Sequence, residues 1–322
     1  MTPLTIFSDL ALDPAGTTLL ERGVAPHTLV RADRLPSSVL SASASSLDGV
    51  DVAFGQPDPA QVLASRSVRW VQVTSAGYTR YDTSEFRAAA KGRGLVVTNS
   101  SSVYDEPCAE HTLAFMLAQA RQLPRGLRSS AANGSREWHR LRSDSRLLCG
   151  ETVVMLGYGA IARRLAALLA PFEMRVSALR RSPRGDEAIP VVTGATLPAA
   201  LAAADHIVNI LPDNAGSRRF VDAQLLSQMK PGAVFYNIGR GTTVDQTALA
   251  AALRSGHLAA AWLDVTDPEP LPDDHPLRGL ENCHITPHVG GGHHGEAHAL
   301  VRHFLANLRR FLDGAPLNDR VM

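Results

Sequence analysis

Arg240 in "NIGRGTTVD", Glu269 in "LDVTDPEPLP" and His288 in "ITPHVGGG" each stand just past an apolar run. A guanidinium grips a carboxylate or polarises a carbonyl through a planar fork that lysine lacks. An imidazole ordinarily titrates near neutral pH, which suits it to give and take a proton. A carboxylate paired with that ring would orient it and favour its charged form. Taken singly, each residue has a plain structural reading: a surface ion pair, a loop charge, a satisfied histidine in a turn. Their order and shared context point instead to one site, because in an open α/β sheet the carboxyl ends of the strands line the ligand crevice.

A second motif precedes them. "TVVMLGYGAIARRLAALLA" puts Gly157 and Gly159 directly after an apolar strand and before a helix, with Ala162 at the third small position. The first glycine permits the tight turn and the second lets backbone approach a pyrophosphate, while the helix amino terminus supplies N–H groups and a favourable dipole. Alone the pattern is weak; in this strand-and-helix setting it marks a dinucleotide site. About twenty residues on, where an NAD site holds a carboxylate for the ribose, the chain reads Leu179, Arg180, Arg181, Ser182. Arginines there suit the 2′-phosphate of NADP, through paired charge-assisted hydrogen bonds. The sequence does not single out Arg180, Arg181 or Arg184, and a basic loop facing solvent with NAD as cofactor stays open.

Elements able to position these groups are legible along the chain. Short apolar runs alternate with helix-period segments, as expected where parallel strands are joined by crossover helices. In the first hundred residues the expected strands are "LTIFS", "VDVAFG", "WVQVTS" and "LVVTN", with "SSVLSASASSLDG" and "YDTSEFRAAAKGRG" between them, the second a helix closed by glycine. "SVYDEPCAEHTLAFMLAQARQLP" is expected to be a long helix with Pro107 in its first turn and Pro124 as a stop. "RGLRSSAANGSREWHRLRSDSRLLCG" is polar and basic and reads as an irregular arm. From Glu151 the alternation resumes with "TVVMLG", "RVSAL", "DHIVNILP", "AVFYNIG", "AAAWLDV" and "CHITPH". The tail "GEAHALVRHFLANLRRFLDG" is an amphipathic helix ended by Gly314. The expected fold is thus α/β, with two doubly wound parallel-sheet (Rossmann-like) domains, the smaller completed by the C-terminal helix.

The chain has 322 residues, 45% of them apolar, a formal net charge of +1 and three scattered cysteines. That length suits two domains. A balanced charge argues against a nucleic-acid partner, three unpaired cysteines suit a reducing compartment, and no run is long and apolar enough for a membrane partner. With no leader pattern at the amino terminus, a cytoplasmic protein is expected.

The ordered combination "GRG", "DVTDPEP", "TPH", together with "VTSAGYTRYD", "REWHRL", "ILPDNAGSRRFVD" and "MKPGAVFYNIGRG", resembles the D-isomer-specific 2-hydroxyacid dehydrogenase family over nearly the whole chain. The resemblance, strongest to the glyoxylate/hydroxypyruvate reductase-like branch, implies reduction of a small 2-oxo acid to the D-2-hydroxy acid by hydride transfer. Arg240 would orient the substrate, His288 would act as acid and base, and Glu269 would tune His288. It further implies a substrate-binding domain of residues 1–100 plus 290–322 and a dinucleotide-binding domain of residues 101–289. The backbone of Ser75, Ala76 and Gly77 would meet the substrate carboxylate. Gly157, Tyr158, Gly159, Ala160 and Ile161 would flank the pyrophosphate; Pro212, Ile238 and Gly239 would line the cofactor cleft; Asp264 would bind the nicotinamide amide. A homodimer is implied as well. Relatives that oxidise formate carry glutamine where Glu269 stands, which argues against that activity.

NADP is thus the expected cofactor, with NAD possible, and no metal is expected. His293, His294, His298 and His303 form a tempting cluster, yet no third ligand is evident at zinc spacing. Tyr78, Arg80 and Tyr104 are candidates to read the substrate side chain. A cofactor-sensing regulator on the same fold is the rival reading, against which the intact Arg240, Glu269 and His288 argue.

Overall fold

The computed structural model describes residues 2–32 and 47–322. The serine-rich patch at 41–46, and with it most of "SSVLSASASSLDG", lies outside the described residues. The chain divides into two compact units, Met1–Tyr104 with His293–Met322, and Asp105–Gly292.

In the first unit β1 (Thr5–Ser8), β2 (Thr28–Arg31), β3 (Val52–Gly55), β4 (Trp70–Val73) and β5 (Val96–Thr98) form one parallel sheet in the order β2-β1-β3-β4-β5. Neighbouring residues along each strand bury opposite ways, so both faces must be covered, as parallel sheets require. Ile6, Val52, Phe54 and Trp70 pack with Leu20 and Val24 of the helix Pro14–Val24 and with Val301, Phe304 and Leu308 of the helix Glu296–Leu312. Ala53, Val71, Val73 and Val97 pack with Val62, Phe86 and Ala90 on the other face. Phe304 stacks on Phe54 with ring centroids 4.2 Å apart. The C-terminal helix therefore completes the smaller sheet's core. The expected helix in "YDTSEFRAAAKGRG" is Ser84–Arg93, capped by the Thr83 hydroxyl and ended by Gly94 at φ 66°. β2 was not expected: "TLVR" carries no period of its own and is a strand because β1 pairs with it.

The second unit holds β6 (Thr152–Leu156), β7 (Arg175–Leu179), β8 (Val191–Val192), β9 (His206–Asn209), β10 (Ala233–Asn237), β11 (Leu258–Leu263) and β12 (Cys283–Ile285). They are parallel, in the order β12-β11-β10-β9-β6-β7-β8. Val153 and Met155 face Leu165 and Leu169 of the helix Ala160–Leu169 together with Phe115 and Met116. Val154 and Leu156 face Leu197, Leu201, Leu249 and Leu253. The sheet is doubly wound, and its order reverses between β6 and β9, so the carboxyl ends of those two strands open the crevice such folds use for ligands.

Two segments differ from expectation. The long helix runs from Ser101 to Ala120, so Pro107 lies inside it. Its early start is capped from far away in sequence: Asp319 accepts the Ser102 N–H at 2.9 Å. The basic arm contains two helices, Leu123–Arg128 and Arg136–Asp144. Ser135 caps the second through the Trp138 N–H at 3.2 Å, and Arg125 ties both together by a fork to Glu137 at 2.8 and 3.0 Å. Among the described residues no helix is long and apolar enough to cross a membrane.

Candidate active site

The glycine turn follows β6. Gly157 sits at φ 113°, a backbone conformation other residues rarely adopt. Gly159 caps the helix Ala160–Leu169 without any side-chain hydrogen bond, and a Cβ added there would meet nothing within 4 Å. The first N–H groups of the helix, those of Ala160 and Ile161 among them, thus face an open side, which fits a pyrophosphate. Ala162 is fully buried, the small residue needed for close helix–sheet packing. Beyond β9 and β10 the chain returns to the same place. A Cβ on Gly239 would stand 2.6 Å from the Leu211 carbonyl oxygen, so the loops carrying Pro212 and Ile238–Gly239 meet backbone to backbone at the switch point.

The arginine loop is tied by a carboxylate that sequence reasoning missed. Glu187 receives Arg180 Nη1 at 2.6 Å and the N–H groups of Arg184 and Gly185 at 2.8 Å each. The Arg180 guanidinium also lies over the Tyr158 ring, 5.7 Å from its centroid. Arg181, Ser182 and Arg184 are exposed. The available signal was the acidic pair Asp186–Glu187 directly after the basic run.

His288 and Glu269 are brought into contact. Glu269 Oε2 meets His288 Nδ1 at 2.9 Å, while its Oε1 accepts the Thr266 N–H at 2.9 Å. That bond fixes the ring and leaves Nε2 as the nitrogen able to exchange a proton with a ligand. A cavity of about 560 Å³ opens beside the pair, lined by Glu269, Pro270, Leu271, Ile285, Pro287 and His288 among others. Arg240 stands on the neighbouring loop and shares no hydrogen bond or ion pair with them; its Nη1 donates to the Gly239 carbonyl at 2.6 Å. The two loops nevertheless pack directly, since a Cβ on Gly241 would lie 1.9 Å from the Thr266 carbonyl carbon. Behind Arg240 lies a buried polar network, also missed from sequence. The Arg240 carbonyl accepts Thr243 Oγ1 at 2.6 Å and Asn237 Nδ2 at 3.2 Å, and Asn209 Nδ2 donates to both Asn237 Oδ1 and Thr243 Oγ1 at 2.9 and 2.7 Å.

Asp264 organises the histidine loop. His288 has φ 53°, an uncommon conformation for a residue with a side chain. It persists because the Asp264 carboxylate, 4% exposed, accepts Thr286 Oγ1 at 2.6 Å and the N–H groups of Val289 and Gly290 at 2.9 Å each. Burial works to raise its pKa, but those bonds together with His111 outweigh it and hold the carboxyl at about 2. A depressed pKa gives stability that is present above the unfolded value near 4 and fades as pH falls toward 2. We therefore expect Asp264→Asn to lose about 2 kcal/mol at pH 6, with the gap from wild type in urea unfolding narrowing below pH 4. A gap that does not change with pH would contradict this assignment.

In the first unit Ser75, Ala76 and Gly77 follow β4. Their carbonyls are all engaged, by the Ser100 N–H at 3.1 Å, by Asn99 Nδ2 at 2.7 Å and by Ser75 Oγ at 2.6 Å. Among the described residues their N–H groups have no acceptor, which suits them to an anion. Gln56 Nε2 fixes Ser75 Oγ at 3.0 Å, a support sequence reasoning did not identify. Tyr104 donates to the Thr74 carbonyl at 2.8 Å.

The histidine cluster does not converge. His298 meets Asp13 at 3.0 Å and His303 meets Asp319 at 3.3 Å. Among the described residues no group of three His, Cys, Asp or Glu side chains gathers as a metal site would.

The model of the D-isomer specific 2-hydroxyacid dehydrogenase NAD binding domain matches residues 113–290. Over 229 residues the chain is 34% identical to glyoxylate reductase/hydroxypyruvate reductase of Homo sapiens, covering 70% of each. A D-isomer specific 2-hydroxyacid dehydrogenase from Xanthobacter autotrophicus Py2, in complex with NADPH and MES, superposes with a TM-score of 0.79 at 25% identity over 100% of this chain and 98% of that one. An NADPH-dependent glyoxylate/hydroxypyruvate reductase from Sinorhizobium meliloti, in complex with NADP and malonate, gives 0.73 at 26% identity over 99% and 97%.

Proposed function

Because the chain belongs to the D-isomer specific 2-hydroxyacid dehydrogenase family, a family of NAD(P)-dependent enzymes, we propose that it reduces a small 2-oxo acid, glyoxylate or hydroxypyruvate, with NADPH. The observation that carries this reading is the Glu269–His288 pair at 2.9 Å, on loops that follow strands of the same sheet as the glycine turn. A bound nicotinamide supplies the hydride. His288 Nε2 gives the proton to the carbonyl oxygen, and Glu269 holds the ring through Nδ1 so that this nitrogen faces outward. Arg240 grips the carboxylate and draws electron density from the ketone. Within the first unit the N–H groups of Ser75, Ala76 and Gly77 suit a carboxylate, and within the second Asp264 fixes the loop on which His288 stands.

The helix start at Ala160 and Ile161 fits the pyrophosphate, and the exposed guanidinium of the 180–184 loop fits a 2′-phosphate. That loop is where this chain offers arginine in place of a ribose-binding carboxylate. The NADPH complex of the Xanthobacter relative and the NADP complex of the Sinorhizobium reductase support the choice. We assign residues 105–292 as the dinucleotide-binding domain and the remainder as the substrate-binding domain. We extend the proposal to a homodimer, in which a partner copy would cover the exposed Leu127 and Leu147 of the arm. Three free thiols suit a cytoplasmic setting.

The test is loss of NADPH absorbance with glyoxylate, hydroxypyruvate, phenylpyruvate and branched 2-oxo acids, with sedimentation of the same protein expected to give twice the mass of the chain. Turnover with the two small acids is expected. Tight NADPH binding with no turnover on any of the four would leave the cofactor-sensing reading in its place.

A further inference from the structure

Arg180 occupies the place after β7 where a dinucleotide fold chooses between ribose hydroxyl and ribose phosphate, yet it does not face outward. Its guanidinium, 17% exposed, is held by Glu187, 5% exposed, and lies against Tyr158 of the glycine turn. Glu187 further accepts the N–H groups of Arg184 and Gly185, and the next residue, Ala188, donates its N–H to the Tyr158 hydroxyl at 3.1 Å. A nearly buried carboxylate with three charge-assisted or backbone donors fixes the whole turn 180–188 against the glycine motif. Arg181 points elsewhere: a Cβ on Gly216 would stand 3.3 Å from its Nη1 and 3.4 Å from Asn214 Oδ1, so its guanidinium reaches the loop after β9. It thereby spans the two sides of the switch point, and among the described residues it has no ion-pair partner.

We propose that Glu187 sets cofactor choice from inside the loop, as a positioning residue that withdraws Arg180 into the frame and leaves Arg181 as the guanidinium that reads the 2′-phosphate. This rests on the NADPH reading above. Simple electrostatics predicts the opposite sign. Glu187 is an acidic group near an anion site, and through water the removal of one rim charge would tighten NADPH about twofold. Positioning predicts a loss, because without the carboxylate the turn that carries Arg181 is no longer held and must be ordered by the ligand.

The experiment is fluorescence titration of the full chain with NADPH and NADH, and of nicotinamide-free 2′,5′-ADP against 5′-AMP, for wild type, Glu187→Gln and Arg181→Ala. Glu187→Gln is expected to weaken NADPH and 2′,5′-ADP about tenfold while NADH and 5′-AMP change less than about twofold. Arg181→Ala is expected to show the same pattern at least as strongly, which keeps the assignment testable should the Glu187 variant fail to fold. Tighter NADPH binding in Glu187→Gln, or equal weakening of both cofactors, overturns the inference, as does an unaltered NADPH preference in Arg181→Ala. A wild-type protein that binds NADPH and NADH alike overturns the NADPH reading and this inference with it. A wild-type preference that Glu187→Gln leaves intact overturns this inference alone.

Discussion

His288→Gln is expected to lower kcat for 2-oxo acid reduction about 10³-fold, the range in which a positioned acid normally contributes, while leaving the Kd for NADPH within about threefold. Glutamine fills a similar space and still meets Glu269, so the loss isolates proton transfer. Asp264, which lies behind the loop, is committed to Thr286, Val289, Gly290 and His111. Glu269→Gln should give a smaller fall, because the imidazole itself remains, although the single amide oxygen can serve only one of His288 Nδ1 and the Thr266 N–H and brings no charge to stabilise a protonated ring. Stopped-flow or steady-state reduction with saturating NADPH measures both. A His288→Gln enzyme retaining more than about a tenth of wild-type kcat would remove the imidazole from the chemistry.

Arg240→Lys should reduce kcat/KM about 10²-fold, although the charge is kept. Lysine offers a point charge without the planar fork, and its ammonium has no counterpart to the Nη1 that Arg240 donates to the Gly239 carbonyl. The backbone here cannot adjust to compensate. Its carbonyl is pinned by Thr243 and Asn237, and Gly241 lies too close to Thr266 for the loop to shift. The effect should appear in KM for the 2-oxo acid as well as in kcat, since ground state and transition state share the carboxylate contact. Addition of guanidinium to the lysine variant gives an independent check: partial recovery is expected if the fork is what was lost. Normal kcat/KM in Arg240→Lys would mean that only charge matters at this position.

Much of this site could be read from residue order. Glycines that need φ above zero or a close backbone approach, as Gly157 and Gly239 do, leave a mark in any sequence because no other residue substitutes there. Apolar runs with both faces buried announced β1, β3 to β7 and β9 to β12, since a parallel sheet leaves its strands no polar side to show. Arg240, Glu269 and His288 stand out because each follows such a strand; the structure joins Glu269 to His288 and leaves Arg240 on the adjacent loop.

What the tertiary structure alone decided are pairings between segments far apart in the chain. β2 is a strand only beside β1, and the helix at Ser101 starts where it does because Asp319 caps it from the carboxyl terminus. The helices of the arm depend on Arg125 finding Glu137 and Asp144. Asn209, Asn237 and Thr243 carry no motif, yet once buried together they must satisfy one another, and the Arg240 carbonyl completes the set. Glu187 turns a run of arginines, which looks uniform on paper, into one framed guanidinium at Arg180 beside exposed Arg181 and Arg184. Local sequence fixes backbone periodicity and the turns that require glycine. Which polar groups end up buried, and so must find each other, is settled only when distant strands are brought side by side.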